Sequence, residues 1–344
     1  MWNPFRRKIK NQSSQLNEHQ SNRVDDLANE LQQEGRIKDL EHELKHLDYS
    51  SLSKIEKETW WHLYGIVAFQ DGHDNEALQR FQEAYNKFPD SAQIRFSLGQ
   101  QYIRTGAIKK GFDLFKTCRF PEVSREFALA QARYAYLWNR HEDGKLFLRP
   151  FFDAYKQVKI LDDHFLYVRG LPFFSQWWSY LTAFAILSDD FEEIESVTKY
   201  VSKSCSDYDF DYLQVELEAY KNDKPQILLE MLEKRLENMS GDNFPTCYTR
   251  MNIAVIKSRM SESIEAAHSI LSSVELSEQD FPWLNDIRTL ALAEVAHRLG
   301  DSINEKEHIK AFIAKQTMLF EPDIALNFHL LRYQERLKIE LFGK

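Results

Sequence analysis

The feature that most constrains this chain is a recurrence. Tyr64, Gly65, Ala68, Gly72, Ala77, Phe81 and Ala84 are answered 34 residues later by Leu98, Gly99, Tyr102, Gly106, Gly111, Phe115 and Cys118. Amphipathic helices that arose independently would not keep glycine at both places in this register. Trp61, Tyr64, Gly65 and Ala68 fall on one helical face, and Ala77, Phe81 and Ala84 on a second. Gly65 and Ala77 are small where two antiparallel helices approach, while Phe81 and Trp61 fill the space around them. Gly72 supplies the positive φ that ends the first helix, and Pro89 suits the stop of the second.

Trp61, Tyr64, Gly65, Gly72, Ala77, Phe81, Ala84 and Pro89 together resemble the tetratricopeptide-repeat pattern. The resemblance is closest from Glu58 to about Pro121 and looser from Arg23 to Lys315. It implies an all-α fold, a right-handed superhelical solenoid of about seven antiparallel helix pairs closed by a C-terminal capping helix.

Other stretches follow the helical period with fewer signature residues. Leu27, Ala28 and Leu31, a break at Gly35, then Leu40, Leu44 and Leu47 form a degenerate first pair. Ala128, Ala132 and Ala135 face Gly144, Leu148 and Phe151 across Asn139, which tolerates the left-handed backbone. Trp178, Leu181 and Ala185 pair with Ile194 and Val201, and Tyr212 and Ala219 with Leu228, Leu232 and Leu236, the latter helix opening at Pro225. Ile253 to Ile256 pair with Ala266, Ala267 and Leu271; Ala293, Ala296 and Gly300 pair with Ile309 and Phe312. Asp323 to Leu341 reads as the cap. The organisation expected is a flexible segment over 1–22, repeats over 23–158, an apolar insertion over 159–174 that either packs on the array or receives a partner, and degenerate repeats with the cap over 175–344.

The sequence is 43% hydrophobic with only 11 glycines and 9 prolines, which suits helices with short turns. A net charge of -9 argues against a nucleic-acid binder. Cys118, Cys205 and Cys247 have no paired spacing, so a reducing, cytoplasmic setting is expected. Trp177 to Leu187 is the most apolar run and is too short to span a bilayer, which takes ~20 residues. At the N-terminus, Trp2 and Phe5 lie among Arg6, Arg7, Lys8 and Lys10. Residues 1–10 are therefore either a solvated tail or a contact with an anionic membrane surface or acidic partner. No apolar stretch follows to make a secretory signal.

Two motifs touch on chemistry. His42-Glu43-Leu44-Lys45-His46 matches the zinc-protease spacing, yet Lys45 would set a cation beside the metal and no further ligand motif follows. Asp207, Asp209, Asp211 and Glu218 resemble the oxygen spacing of a calcium loop, but Tyr212 replaces the glycine of its turn. Neither supports catalysis, and no cofactor is expected.

The expectation is instead a non-catalytic scaffold or adaptor that binds a peptide or protein in its concave repeat surface. A regulatory subunit that changes curvature on ligand binding is the alternative. The core pattern leaves His62, Ile66, Phe69, Phe96, Gln100, Arg104, Arg133 and Tyr136 as the residues lining that surface. Arg104 and Arg133 would meet a carboxylate while Phe96 and Tyr136 give contact area. His62 and Ile66 stand where repeats that capture chaperone tails carry a lysine and asparagine clamp, so that specialised function does not carry over.

Overall fold

The computed structural model describes residues 22–155, 166, 169, 171–172, 174–204, 210–241, 244–276, 282–315 and 330–342. Among them there are seventeen α-helices and no strand. They are α1 (Arg23–Gln33), α2 (Leu40–His46), α3 (Lys54–Gln70), α4 (Asp74–Lys87), α5 (Ala92–Arg104), α6 (Ile108–Thr117), α7 (Arg125–Leu137), α8 (His141–Tyr155) and α9 (Phe174–Ser188). The rest are α10 (Glu192–Ser204), α11 (Phe210–Lys221), α12 (Pro225–Glu237), α13 (Phe244–Arg259), α14 (Ile264–Ser272), α15 (Pro282–Arg298), α16 (Ser302–Lys315) and α17 (Leu331–Phe342). The chain divides into two compact units, Met1–Ala128 with Val168–Gly170, and Leu129–Tyr167 with Leu171–Lys344. The segment 1–21 and most of 159–174 lie outside the described residues.

Local chemistry sets the helix ends. The Asn22 side chain accepts from the amides of Val24 and Asp25, opening α1 at the expected place. Ser53 and Glu56 cap α3 reciprocally: the Glu56 amide donates to Ser53 Oγ at 3.3 Å, and the Ser53 amide to Glu56 Oε2 at 2.8 Å. Between paired helices, Gly72 has φ +77° and Asn139 φ +51°, the left-handed turns that the sequence assigns to both. Pro225 occupies the first turn of α12.

In the first unit each helix packs on its sequence neighbours, as in a helical repeat, and α3 touches α1, α2, α4 and α5. Gly65 of α3 lies against the Phe81 ring of α4, so close that a Cβ at Gly65 would overlap it. Gly99 repeats this seat with Phe115, and Gly111 stands against the Gly99 carbonyl oxygen, 2.6 Å from where its own Cβ would be. Phe81 and Phe115 are buried, each contributing ~1.5–3 kcal/mol of transfer free energy. Trp61 departs from its expected place as core filler. It is half-buried, donates Nε1–H to Tyr49 Oη at 3.0 Å, and lies under Lys87 Nζ at 5.1 Å. The Phe81 ring already fills the space at Gly65.

In the second unit Gly144 of α8 seats Phe184 of α9. Trp177 and Trp178 are buried, Trp177 donating Nε1–H to the Leu148 carbonyl at 3.0 Å. Of the expected insertion, Leu166, Leu171 and Phe174 are buried, the last within α9. Ala219, Leu228 and Leu232 pack with Ile253 and Ile256, as the periodicity predicts for the first three. Ala266 is exposed where a core position is expected, while Ala267 and Leu271 are buried. The terminal helix begins at Leu331, its expected start at Asp323 falling outside the described residues. It is held by Gln334 Oε1, which accepts from Tyr136 Oη at 3.2 Å, and by Lys338 Nζ, which donates to the Tyr136 carbonyl at 2.8 Å.

Candidate functional site

The eight residues expected to line a binding surface fall in both units, His62 to Arg104 in the first, Arg133 and Tyr136 in the second. Four of them are buried. Ile66 joins the core with Ala77, Phe81 and Leu98. Phe96 is sandwiched between Phe115 and Phe127, with centroid distances of 5.3 and 4.3 Å. Tyr136 is fully covered, its ring 3.8 Å below Lys338 Nζ, and burial pushes its phenol up. His62 accepts at Nδ1 from Gln93 Nε2 (3.0 Å) and so donates Nε2–H to Ser97 Oγ (2.9 Å). Burial pushes its imidazole down to about 4, so it is neutral at pH 7.

For Phe96 the cover comes from Phe115 of α6 and Phe127 of α7; for His62 and Ile66 the physical reason is shared. Periodicity identifies the face that meets the helix's own partner, but α3 also packs on α5, and that second covered face leaves no stronger sequence pattern. Phe69 and Arg104 do come together near the surface. The Arg104 guanidinium lies 4.6 Å from the Phe69 centroid, and its Nε and Nη2 reach Asp74 Oδ1 at 3.0 and 2.9 Å. Arg104 is exposed, with Gln100 and Arg133 half-buried.

His42 and His46 are exposed with ring centroids 4.1 Å apart, and His46 Nδ1 donates to the His42 carbonyl. The adjacent carboxylates are engaged elsewhere: Glu41 with Lys45 (2.7 Å) and Arg80 (2.8 Å), Glu43 with Arg36 (3.8 Å). Among the described residues no three His, Cys, Asp or Glu side chains gather as a metal-binding set. Asp207 and Asp209 lie outside the described residues; Asp211 and Tyr212 belong to the first turn of α11. Glu218 accepts from Asn222 Nδ2 at 2.6 Å, which occupies one of the expected oxygen donors. Cys118 is a buried thiol pushed up to about 12 by desolvation, consistent with a packing role.

One surface escaped the sequence reading. On α10, Glu192, Glu195, Ser196, Lys199, Tyr200 and Lys203 are all exposed and recur at helical spacing as one stripe. Beside it, toward α8, run two shallow cavities of about 470 and 330 Å³ that share Phe152 and Ser196. The larger is rimmed by Arg149, Asp153, Asp190, Glu192 and Glu193, and the smaller by Lys199, Tyr200 and Lys203. Arg149 forks onto Glu193 at 3.1 and 3.2 Å, and the buried Lys145 holds Asp190 at 2.6 Å. The Phe152 and Tyr200 rings meet edge to face at 6.0 Å. The signal available in the sequence was the stripe, acidic at its start and basic at its end.

No family model matches the chain, and no curated protein sequence is similar to it. The fold defines an all-helical protein with repeat-like packing of neighbouring helices. Among the described residues no helix is long and apolar enough to cross a membrane.

Proposed function

We propose that this protein is a non-catalytic interaction scaffold of the tetratricopeptide-repeat kind, a right-handed solenoid whose concave face holds a peptide or protein segment. One observation carries the reading: the glycine seat for an aromatic ring recurs at the same register, Gly65 with Phe81 and Gly99 with Phe115. Repetition of one packing unit is how such arrays build an extended surface without a catalytic cleft. Within the first unit the accessible part of that surface is Phe69, Gln100 and Arg104. Arg104 Nη1 has no partner among the described residues and serves a partner's carboxylate while Asp74 keeps the guanidinium over Phe69.

The test is capture of partners from the native source by the full chain, read by mass spectrometry, beside the variant R104E/R133E. Loss of the captured protein with unchanged helical circular dichroism is expected. Capture that survives both reversals overturns the site, and absence of any specific partner overturns the scaffold reading.

A further inference from the structure

We propose that a second copy of this chain packs against the exposed stripe of α10, the two α10 helices running antiparallel about a two-fold axis. The stripe is self-complementary under that operation. A two-fold passing between Ser196 and Lys199 sets Glu192 opposite the partner subunit's Lys203, and Lys203 opposite the partner subunit's Glu192. The same operation brings Glu195 opposite Tyr200 and Ser196 opposite Lys199. The charged ends of the stripe lie about 16 Å apart along the helix, so both ion pairs form at once on either side of a centre holding Ser196 and Tyr200. An isologous contact of this kind closes on itself as a dimer.

The state of these side chains fits that occupant. Among the described residues Glu192, Lys199 and Lys203 form no ion pair, whereas Glu195 is held by Lys221 Nζ at 2.5 Å, Glu193 by Arg149 and Asp190 by Lys145. Of the three charges left over, the two-fold pairs Glu192 with Lys203, and Lys199 lies opposite Ser196. Acidic first turn and basic last turn already complement the dipole of α10, and an antiparallel copy aligns the two dipoles head to tail as well. The cavities beside the stripe give the opposing Tyr200 and Lys199 side chains room against Phe152. A single helix pair makes a contact at the small end of specific interfaces, so the dimer forms reversibly with concentration.

The experiment is sedimentation velocity of the full chain across a wide concentration range, at low and high salt. A concentration-dependent dimer that weakens with salt is expected. Glu192→Lys and Lys203→Glu each enter the interface twice, so each alone is expected to weaken association about tenfold. E192K/K203E together restore the pairing with the charges exchanged and return association to near the wild-type value. The neutral pair E192Q/K203Q, which cannot introduce repulsion, weakens it less than either reversal. A monomer at every concentration overturns the proposal, including one in which this face instead binds another protein. A dimer indifferent to the single reversals, or not recovered in the exchanged double variant, also overturns it.

Discussion

Phe81 lies across the bare α-carbon of Gly65, and the ring occupies the volume that any side chain at that position would need. Both residues are buried, and the contact joins the two helices of the best-formed pair. Gly65→Ala gains ~1 kcal/mol of helix propensity but forces a methyl group into the ring, which costs ~1–3 kcal/mol. We expect net destabilisation, seen as a lower urea midpoint. Phe81→Leu on the G65A background should recover part of it. A double-mutant cycle without coupling between the two sites would show that the ring moves away at no cost.

Gly72 tests a different origin for a glycine of the same repeat. Its Cβ would meet nothing within 4 Å, yet its φ is +77°. Gly72→Ala should therefore cost ~1 kcal/mol through the left-handed backbone alone, and Gly72→Asn less, since asparagine already serves at φ +51° in Asn139. Urea denaturation of the two variants checks the ranking; equal losses for alanine and asparagine would refute the backbone account.

These two glycines show what was legible in the sequence and why. A seat for a ring and a left-handed turn are local demands that only glycine, or for the turn asparagine, meets cheaply, so they leave a mark at fixed spacing. The helices and the turns at Gly72 and Asn139 could therefore be read directly. The covered second face of α3 left no such mark: His62 and Ile66 are a polar and an apolar residue on a face whose burial depends on α5, in the next helix pair. Tyr136 is covered by Lys338, 202 residues away, and no periodicity reports a pairing of that range. The α10 stripe was visible as spacing and charge, but its exposure depends on how α8 and α10 pack.

His62 makes the covered face measurable by pH. Its folded pKa, lowered to about 4 by burial, lies below the unfolded value near 6.5, so the unfolded chain binds the extra proton first. Stability is unaffected above pH 6.5 and falls as the pH drops from 6.5 to 4, by up to ~3 kcal/mol. His62→Gln removes the titration and should flatten that limb of the stability curve. Glu56, held down to about 2 chiefly by Arg23, adds a loss that begins at the ordinary carboxylate value, as pH falls from 4.5 toward 2. A wild-type curve that stays flat between pH 6.5 and 4.5 would contradict a buried neutral His62.

Lys338 gives the opposite limb in the second unit. Its ammonium is buried over Tyr136, donating to that residue's carbonyl, with Glu335 as the neighbouring carboxylate and His141 3.3 Å from Glu335. Desolvation outweighs Glu335 and lowers the amine to about 8, against 10.5 when exposed. Below pH 8 the folded state carries the cost of a buried cation. Between pH 8 and 10.5 it releases a proton that the unfolded chain retains, so stability rises by ~3 kcal/mol at most and then levels. Lys338→Met keeps the volume without the charge and should remove this rise. At pH 7 the loss of the hydrogen bond opposes the relief of desolvation, and a change under ~1.5 kcal/mol in either direction is expected. Thermal unfolding of both proteins at pH 7 and pH 10 is the measurement. A rise with pH of the same size in K338M would place the titrating group elsewhere.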